Sequence, residues 1–245
     1  MPEAPAWSAH TAVMAAFLSE AGFRATPSYY DCPEHDDRPF ESLGKDWEIL
    51  GIYFKRYSAC RHAHAPLDGV FKLVNDHAID PEEITRILVG CAAAKGLNMN
   101  NRRPASIWQA QYSIPFVIGA ALRKGKVGPG EVSASMLKDR GILEMADKVE
   151  LVADEDVEAL QPGAFAGRVR METSDGHGFE TFVEHPKGDP ENPFSEEELR
   201  SKFDELTVPV VGGERSRQIA AAVDELEELN DVNDLFRLLL NTPLR

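Results

Sequence analysis

Three fixed cations, two imidazoles, a thiol and a phenol stand close together in Lys55-Arg56-Tyr57-Ser58-Ala59-Cys60-Arg61-His62-Ala63-His64-Ala65-Pro66-Leu67-Asp68. Each of these types suits a particular task. Lys55 can hold a carboxylate as a point charge, or act as an acid or base if burial lowers its pKa. His64 is a proton carrier near neutrality, or else a cap or core histidine. Arg61 can clamp a carboxylate with two parallel hydrogen bonds, or form a surface ion pair. Cys60 has cationic neighbours that favour thiolate, yet packing or lining a substrate is the plainer role. Together these groups suit proton transfer at a carbon next to a carboxylate. Cations hold the carboxylates and an acid–base pair moves the proton.

Further along, Arg102 and Arg103 precede a helical pattern, where a carboxylate could bind with help from the helix N-terminus. A solvated loop is the alternative there. Gln111 and Ser113 lie on that helix and could contact substrate or merely satisfy local polar groups. His62, two residues before His64, points away from the His64 face on a helix or tight corner. No glycine-rich nucleotide loop or metal-ligand cluster stands out, so neither an organic cofactor nor a metal is expected.

The elements that must position these groups follow from pattern. Ile49–Phe54 is an apolar, strand-like run that would place Lys55 at a strand exit. From His64 to Asp76, Leu67, Val70, Phe71 and Val74 recur on one face of a helix. A strand-to-helix corner commonly presents side chains to a ligand. Before it, residues 9–21 read as a helix capped by Ser8 and ended by Gly22. Residues 24–45 read as a loop with a solvated acidic patch, Asp31, Glu34, Asp36 and Asp37. After it come a turn at Asp80-Pro81, a strand over 84–91, a polar loop over 95–104 and a long helix over 105–124. Pro115 should kink or split that helix.

Residues 131–146 read as a helix interrupted at Gly141, and 148–153 as a strand. The runs 165–172 and 178–185 alternate on either side of Thr173-Ser174-Asp175-Gly176-His177 and predict a β-hairpin. Ser195 followed by three glutamates opens a helix to about 206. Residues 214–229 and 232–240 are two more amphipathic helices. The fold class is therefore α+β. Helix and loop occupy 1–48, an α+β unit with a small, mostly antiparallel sheet occupies 49–194, and C-terminal helices occupy 195–245.

The chain has 245 residues and a formal net charge of −15. That charge argues against nucleic acid and anionic membrane surfaces as partners, and it makes the local cation density around Lys55 stand out. Cys32, Cys60 and Cys91 are odd in number and far apart, with no C-x-x-C, which excludes a disulfide framework or zinc ribbon. No apolar run is long enough to span a membrane, and the N-terminus lacks a basic signal region. A reducing cytoplasm is the simplest setting.

The order Lys55-x-Tyr57-x-x-Cys60-Arg61-x-x-His64-x-x-x-Asp68 resembles the central motif of the MmgE/PrpD family. So does Ala110-Gln111-Tyr112-Ser113-Ile114-Pro115-Phe116 with Gly119-Ala120-Ala121-Leu122 and Gly125. A third block is His185-Pro186-Lys187-Gly188 with Asn192-Pro193 and Lys202-Phe203. The family includes 2-methylcitrate dehydratases, cis-aconitate decarboxylases and iminodisuccinate epimerases. The resemblance covers about the second half of a typical member. It implies a lid-like α+β domain whose terminal helices belong with a helical domain that this chain does not contain. Phe116 stands where some relatives place a tyrosine.

The residue types and the resemblance together point to Lys55 and His64 as catalytic residues, with Arg61, Cys60 and Ser113 around the substrate and Arg103, from its place before a helix, as a further carboxylate contact. The implied substrate is a small polycarboxylate, and a dehydratase would place the chain in propionate metabolism. An epimerase acting on a dicarboxylate, and a non-catalytic fragment or interaction subunit, are the alternative readings. The implied partner is a separate helical subunit or a second copy of the chain.

Overall fold

The computed structural model describes residues 4–24, 42–92, 98–161 and 163–240. Contacts divide the chain into two compact units, Met1–Ile49 and Leu50–Arg245. The expected acidic patch at 31–37 and Cys32 lie outside the described residues, as does part of the 95–104 loop.

In the first unit, α1 (Ala4–Glu20) starts earlier than its pattern indicated, with Ser8 inside it. It ends where expected. Gly22 adopts φ 84°. The Phe23 amide donates to the Leu18 carbonyl and the Gly22 amide to that of Ser19. This is the Schellman closure that glycine permits without a Cβ clash.

The second unit is built on a four-stranded sheet of order β2-β1-β3-β4, with β1 (Ile84–Cys91), β2 (Val149–Val152), β3 (Gly167–Thr173) and β4 (Gly178–Val183). The β1–β2 pair is parallel. The β1–β3 and β3–β4 pairs are antiparallel, the latter as the hairpin expected from alternation. Along β3, Val169 and Met171 are fully buried while Arg168 and Arg170 face outward, which is the period-two signature of a half-covered sheet.

Helix α2 (His64–His77) packs across β3 and β4 on the buried face, beside α4 (Ile114–Lys124). The long helix expected over 105–124 is two helices, α3 (Ile107–Gln111) and α4. The break falls at Tyr112-Ser113. Pro115 sits in the first turn of α4, where its missing N–H costs nothing. Ser113 caps α4 through the Phe116 amide, and every residue of α4 from Ile114 to Leu122 is buried.

The helix expected over 131–146 forms only from Arg140, as α5 (Arg140–Asp147): residues 131–139 are turns with one 3-10 turn at Met136–Lys138, and Gly141 lies in the first turn of α5. A Cβ there would lie 2.6 Å from Arg123 Nε, so that glycine serves close packing rather than a break. The short α6 (Glu155–Ala159) went unread in the sequence. It is capped by Asp154, which accepts from the Asp156 and Val157 amides. Helices α7 (Glu196–Val211), α8 (Gly213–Asp224) and α9 (Asn233–Leu240) follow, α7 opening with the Ser195–Glu198 capping box. The described chain is thus an α+β fold with nine helices and an open mixed sheet of four strands.

A further expectation is corrected. The run Ile49–Phe54 is not a strand. Glu48–Gly51 is a single 3-10 turn, and the next residues are extended, joined to the fold by a bond from the Phe54 amide to the Gly188 carbonyl. Its apolar side chains are consecutive rather than alternating, so no single face could pack on a sheet. Ile52, Tyr53 and Phe54 all stay substantially exposed.

Candidate functional site

The corner forms where this extended segment meets α2. Gly188 is what lets the segment approach, because a Cβ there would stand 2.0 Å from the Phe54 carbonyl oxygen at φ 101°. Gly167 does the same for the first turn of α2, where a Cβ would lie 2.8 Å from Pro66. Between these points the backbone turns through a 3-10 segment, Arg61–Ala63, and enters α2 at His64.

His64 is wholly buried, and Nε2 lies 3.4 Å from the Ala59 carbonyl. A carbonyl only accepts, so Nε2 carries the proton and Nδ1 is the lone-pair nitrogen. Among the described residues, Nδ1 has no hydrogen-bond partner. Burial pushes the imidazole pKa down to about 3. The Ala59 bond opposes that drop, and the charges of Arg61, Lys55 and Lys202 add to it. His64 is therefore neutral at any ordinary pH, and Lys55 lies within its electrostatic reach. Lys55 itself is half-buried.

Asp68, one turn along α2 from His64, ties the corner together. Its Oδ1 accepts from the Tyr57 hydroxyl at 2.6 Å and from Arg56 Nη1 at 3.2 Å. Its Oδ2 accepts from the Lys187 amide at 2.6 Å. Burial, reinforced by the Asp68 charge, pushes the Tyr57 phenol far above its usual range, so it stays a donor. The Tyr57 ring meets His64 edge-on at 5.4 Å and stacks on Phe71 at 5.8 Å.

Arg61 is buried, its Nη2 paired with Asp189. The guanidinium lies 4.0 Å from the Tyr53 ring centroid and 5.1 Å from that of Phe165. Among the described residues, its Nε and Nη1 have no hydrogen-bond partner, so those two nitrogens are what Arg61 could offer a carboxylate. Cys60 is half-buried, with Sγ 3.7 Å from His62 Nδ1, and its amide donates to the Gln111 carbonyl. That bond brings the end of α3 beside the corner.

Ser113 is buried at the same junction, but its hydroxyl is spoken for. It donates to the Asn101 carbonyl at 2.5 Å and accepts from the Phe116 amide. Arg103 is about half exposed and bonded on the α5 side, to Asp147 at 2.5 Å and the Leu143 carbonyl at 3.2 Å. Helix-capping accounts for Ser113, and an ion pair with α5 engages Arg103. Sequence reading passed over Asp68 as a site residue, although its spacing of four from His64 puts both on one face of α2.

Among the described residues, His185, Asp189 and Glu191 have donor atoms within 4.8 Å of one another, the spacing of metal ligands. Arg61 already supplies the cation at Asp189. Among the described residues, no helix is long and apolar enough to cross a membrane.

Over 208 residues, 81% of this chain and 42% of the relative, the chain is 27% identical to a cis-aconitate decarboxylase-like protein, oryM, of Aspergillus oryzae. Over 226 residues it is 26% identical to a cis-aconitate decarboxylase of Aspergillus terreus, covering 87% of this chain and 45% of the relative. The chain thus spans less than half the length of these curated relatives. The family model for the MmgE/PrpD C-terminal domain matches residues 57–228, most of the chain and nearly all of the second unit; the chain belongs to the MmgE/PrpD family.

Proposed function

We propose that the chain is part of a lyase acting on a small polycarboxylate without an organic cofactor, with Lys55 and His64 at its reacting centre. The observation that carries this reading is the neutral His64, with an unpartnered Nδ1, inside the field of Lys55 and Arg61. A base must be unprotonated to accept a proton, and cations must offset the charge that develops on the substrate. Lys55 holds one substrate carboxylate and Arg61 Nε and Nη1 another. His64 moves the proton. A polyanion beside the imidazole raises its proton affinity, so that the same group can return the proton. His64 is closed from solvent, so its use requires the 52–58 segment to lift from α2.

Two lyase outcomes follow from this arrangement. In decarboxylation the bond to a carboxylate breaks, its electron pair stays on carbon, and a proton is added there. In dehydration a proton leaves carbon and hydroxide leaves the neighbouring carbon. The named relatives favour decarboxylation of cis-aconitate over the dehydratase reading. We assign the remaining part of the active site to a helical domain or subunit that packs against this chain, in a reducing cytoplasm.

The test is to co-express the chain with a helical-domain polypeptide of the family and supply cis-aconitate, 2-methylcitrate or an epimerisable dicarboxylate. Products are followed by proton NMR. Turnover of cis-aconitate with loss of one carboxylate, reduced at least about 100-fold in Lys55→Ala and His64→Gln, is expected. Turnover that both variants leave untouched would refute the assigned site.

A further inference from the structure

A second cleft of about 550 Å³ opens between α2, the end of α4 and α7. Its lining includes neither Lys55 nor His64 nor Arg61. That volume is the size of a small-molecule site. Its apolar lining comes from Val70, Phe71 and Val74 of α2, Leu122 of α4, Phe194 and Leu206, alongside polar groups of Arg56, Ser58, Asn75, Ser201 and Lys202.

The charged groups around the cleft are nearly all engaged. Arg56 is paired with Asp68 at 3.2 Å. Glu198 is paired with Lys187 at 2.8 Å. Lys126 lies between Glu131 and Glu205, at 3.7 and 4.0 Å. Lys202 is different. It is half-buried, it donates to the Arg56 carbonyl at 3.4 Å, and among the described residues it has no carboxylate within ion-pair distance. Burial holds its ammonium below the usual lysine range, with Glu205 opposing. A half-buried cation with no carboxylate paired to it lacks one anion.

We infer that this cleft binds an amphipathic monoanion, with an apolar body against Phe71, Val74 and Leu122 and a single carboxylate on Lys202. A di- or tricarboxylate fits poorly, because its further charges would meet the apolar lining or the Glu198 and Glu205 carboxylates. The cleft borders the 55–64 corner and shares Arg56, Tyr57 and Ser58 with it, but it takes a different class of ligand. Lys202 lies within electrostatic reach of His64. A carboxylate seated on it would be felt at the imidazole, which makes the cleft a place from which the corner can be tuned.

Octanoate is a suitable probe, titrated into the full chain by calorimetry and by amide NMR. Octanamide has the same body without the charge, and tricarballylate has three carboxylates without the body. Saturable octanoate binding is expected, with octanamide and tricarballylate each weaker by about ten-fold or more. Lys202→Gln should weaken octanoate by about ten-fold. Ser201→Trp, an exposed position on the rim, should block it, and Lys55→Ala should leave it unchanged. The proposal is overturned if folded protein shows no saturable binding, if octanamide binds as well as octanoate, or if Lys55→Ala removes binding that Lys202→Gln retains. None of these readouts depends on turnover, so they stand apart from the lyase assignment.

Discussion

At the scale of single residues, the corner makes two predictions. His64 titrates at about 3 when folded, against an ordinary value of 6.5. Its folded pKa is depressed, so between those values the unfolded chain binds a proton that the folded chain refuses. Stability should fall as pH drops below about 6.5 and level off near pH 3, at a cost on the order of a few kcal/mol. Urea unfolding across that range should show the slope, and His64→Gln should flatten it. A slope unchanged in the variant would mean that other groups carry the acid sensitivity. The second prediction concerns Asp68. Asp68→Ala strips the acceptor from the Tyr57 hydroxyl and the Lys187 amide and should cost about 2–4 kcal/mol in urea unfolding. Asp68→Asn keeps an acceptor oxygen and should cost less. Equal, small losses in both would deny Asp68 its place as the tie between α2 and the 185–189 turn. Lys55 and His64 were legible as candidates because their types and motif stand in the sequence. Arg61's engagement was not, since Asp189 and Phe165 are more than a hundred residues away and only the fold brings them to it.

At the scale of elements, local rules succeeded where one face of an element is buried. The β3–β4 hairpin and α2 each match their periodic pattern, because burial of alternate or every-third-or-fourth side chains is what produces that pattern, while β1, largely buried toward its end, was legible from its β-branched residues instead. The Ile49–Phe54 run failed for the complementary reason. It is apolar but unpatterned, and here it is an exposed connector rather than a strand. The 131–146 pattern misled because its first nine residues form turns, and the helix begins only at Arg140, where Asp139 caps it. The split between α3 and α4 was half legible. Pro115 announced a discontinuity, but only the structure shows that Ser113 caps the second helix. Ser113→Ala should therefore cost about 1 kcal/mol or somewhat more, since the Asn101 carbonyl also loses its donor. Thermal unfolding would measure it. If Ser113 instead contacts substrate, the variant would change turnover in the completed enzyme without this loss of stability.

At the scale of the whole molecule, the C-terminal helices point to association. None of the eight residues of α9 is buried, although Phe236, Leu239 and Leu240 lie on it. A helix that short gains too little from its own hydrogen bonds to persist in water. Val208 and Val210 of α7 and Val223 of α8 are exposed as well, so apolar surface accumulates over three successive helices. Burying a handful of such side chains contributes about 1.5–3 kcal/mol each, enough to favour a complex strongly. The occupant consistent with the family assignment is a helical domain or subunit that presents its own apolar face. Light scattering on the chain alone and with that polypeptide should then show a complex, with α9 amides gaining protection from hydrogen exchange. Phe236→Asp places a carboxylate in the middle of the surface without disturbing a buried contact within the chain. It should weaken the complex while leaving the sheet and α2 intact by circular dichroism. A chain that stays monomeric beside the helical polypeptide, with α9 already protected, would show that these helices are stable without a partner and would overturn the proposed association through them.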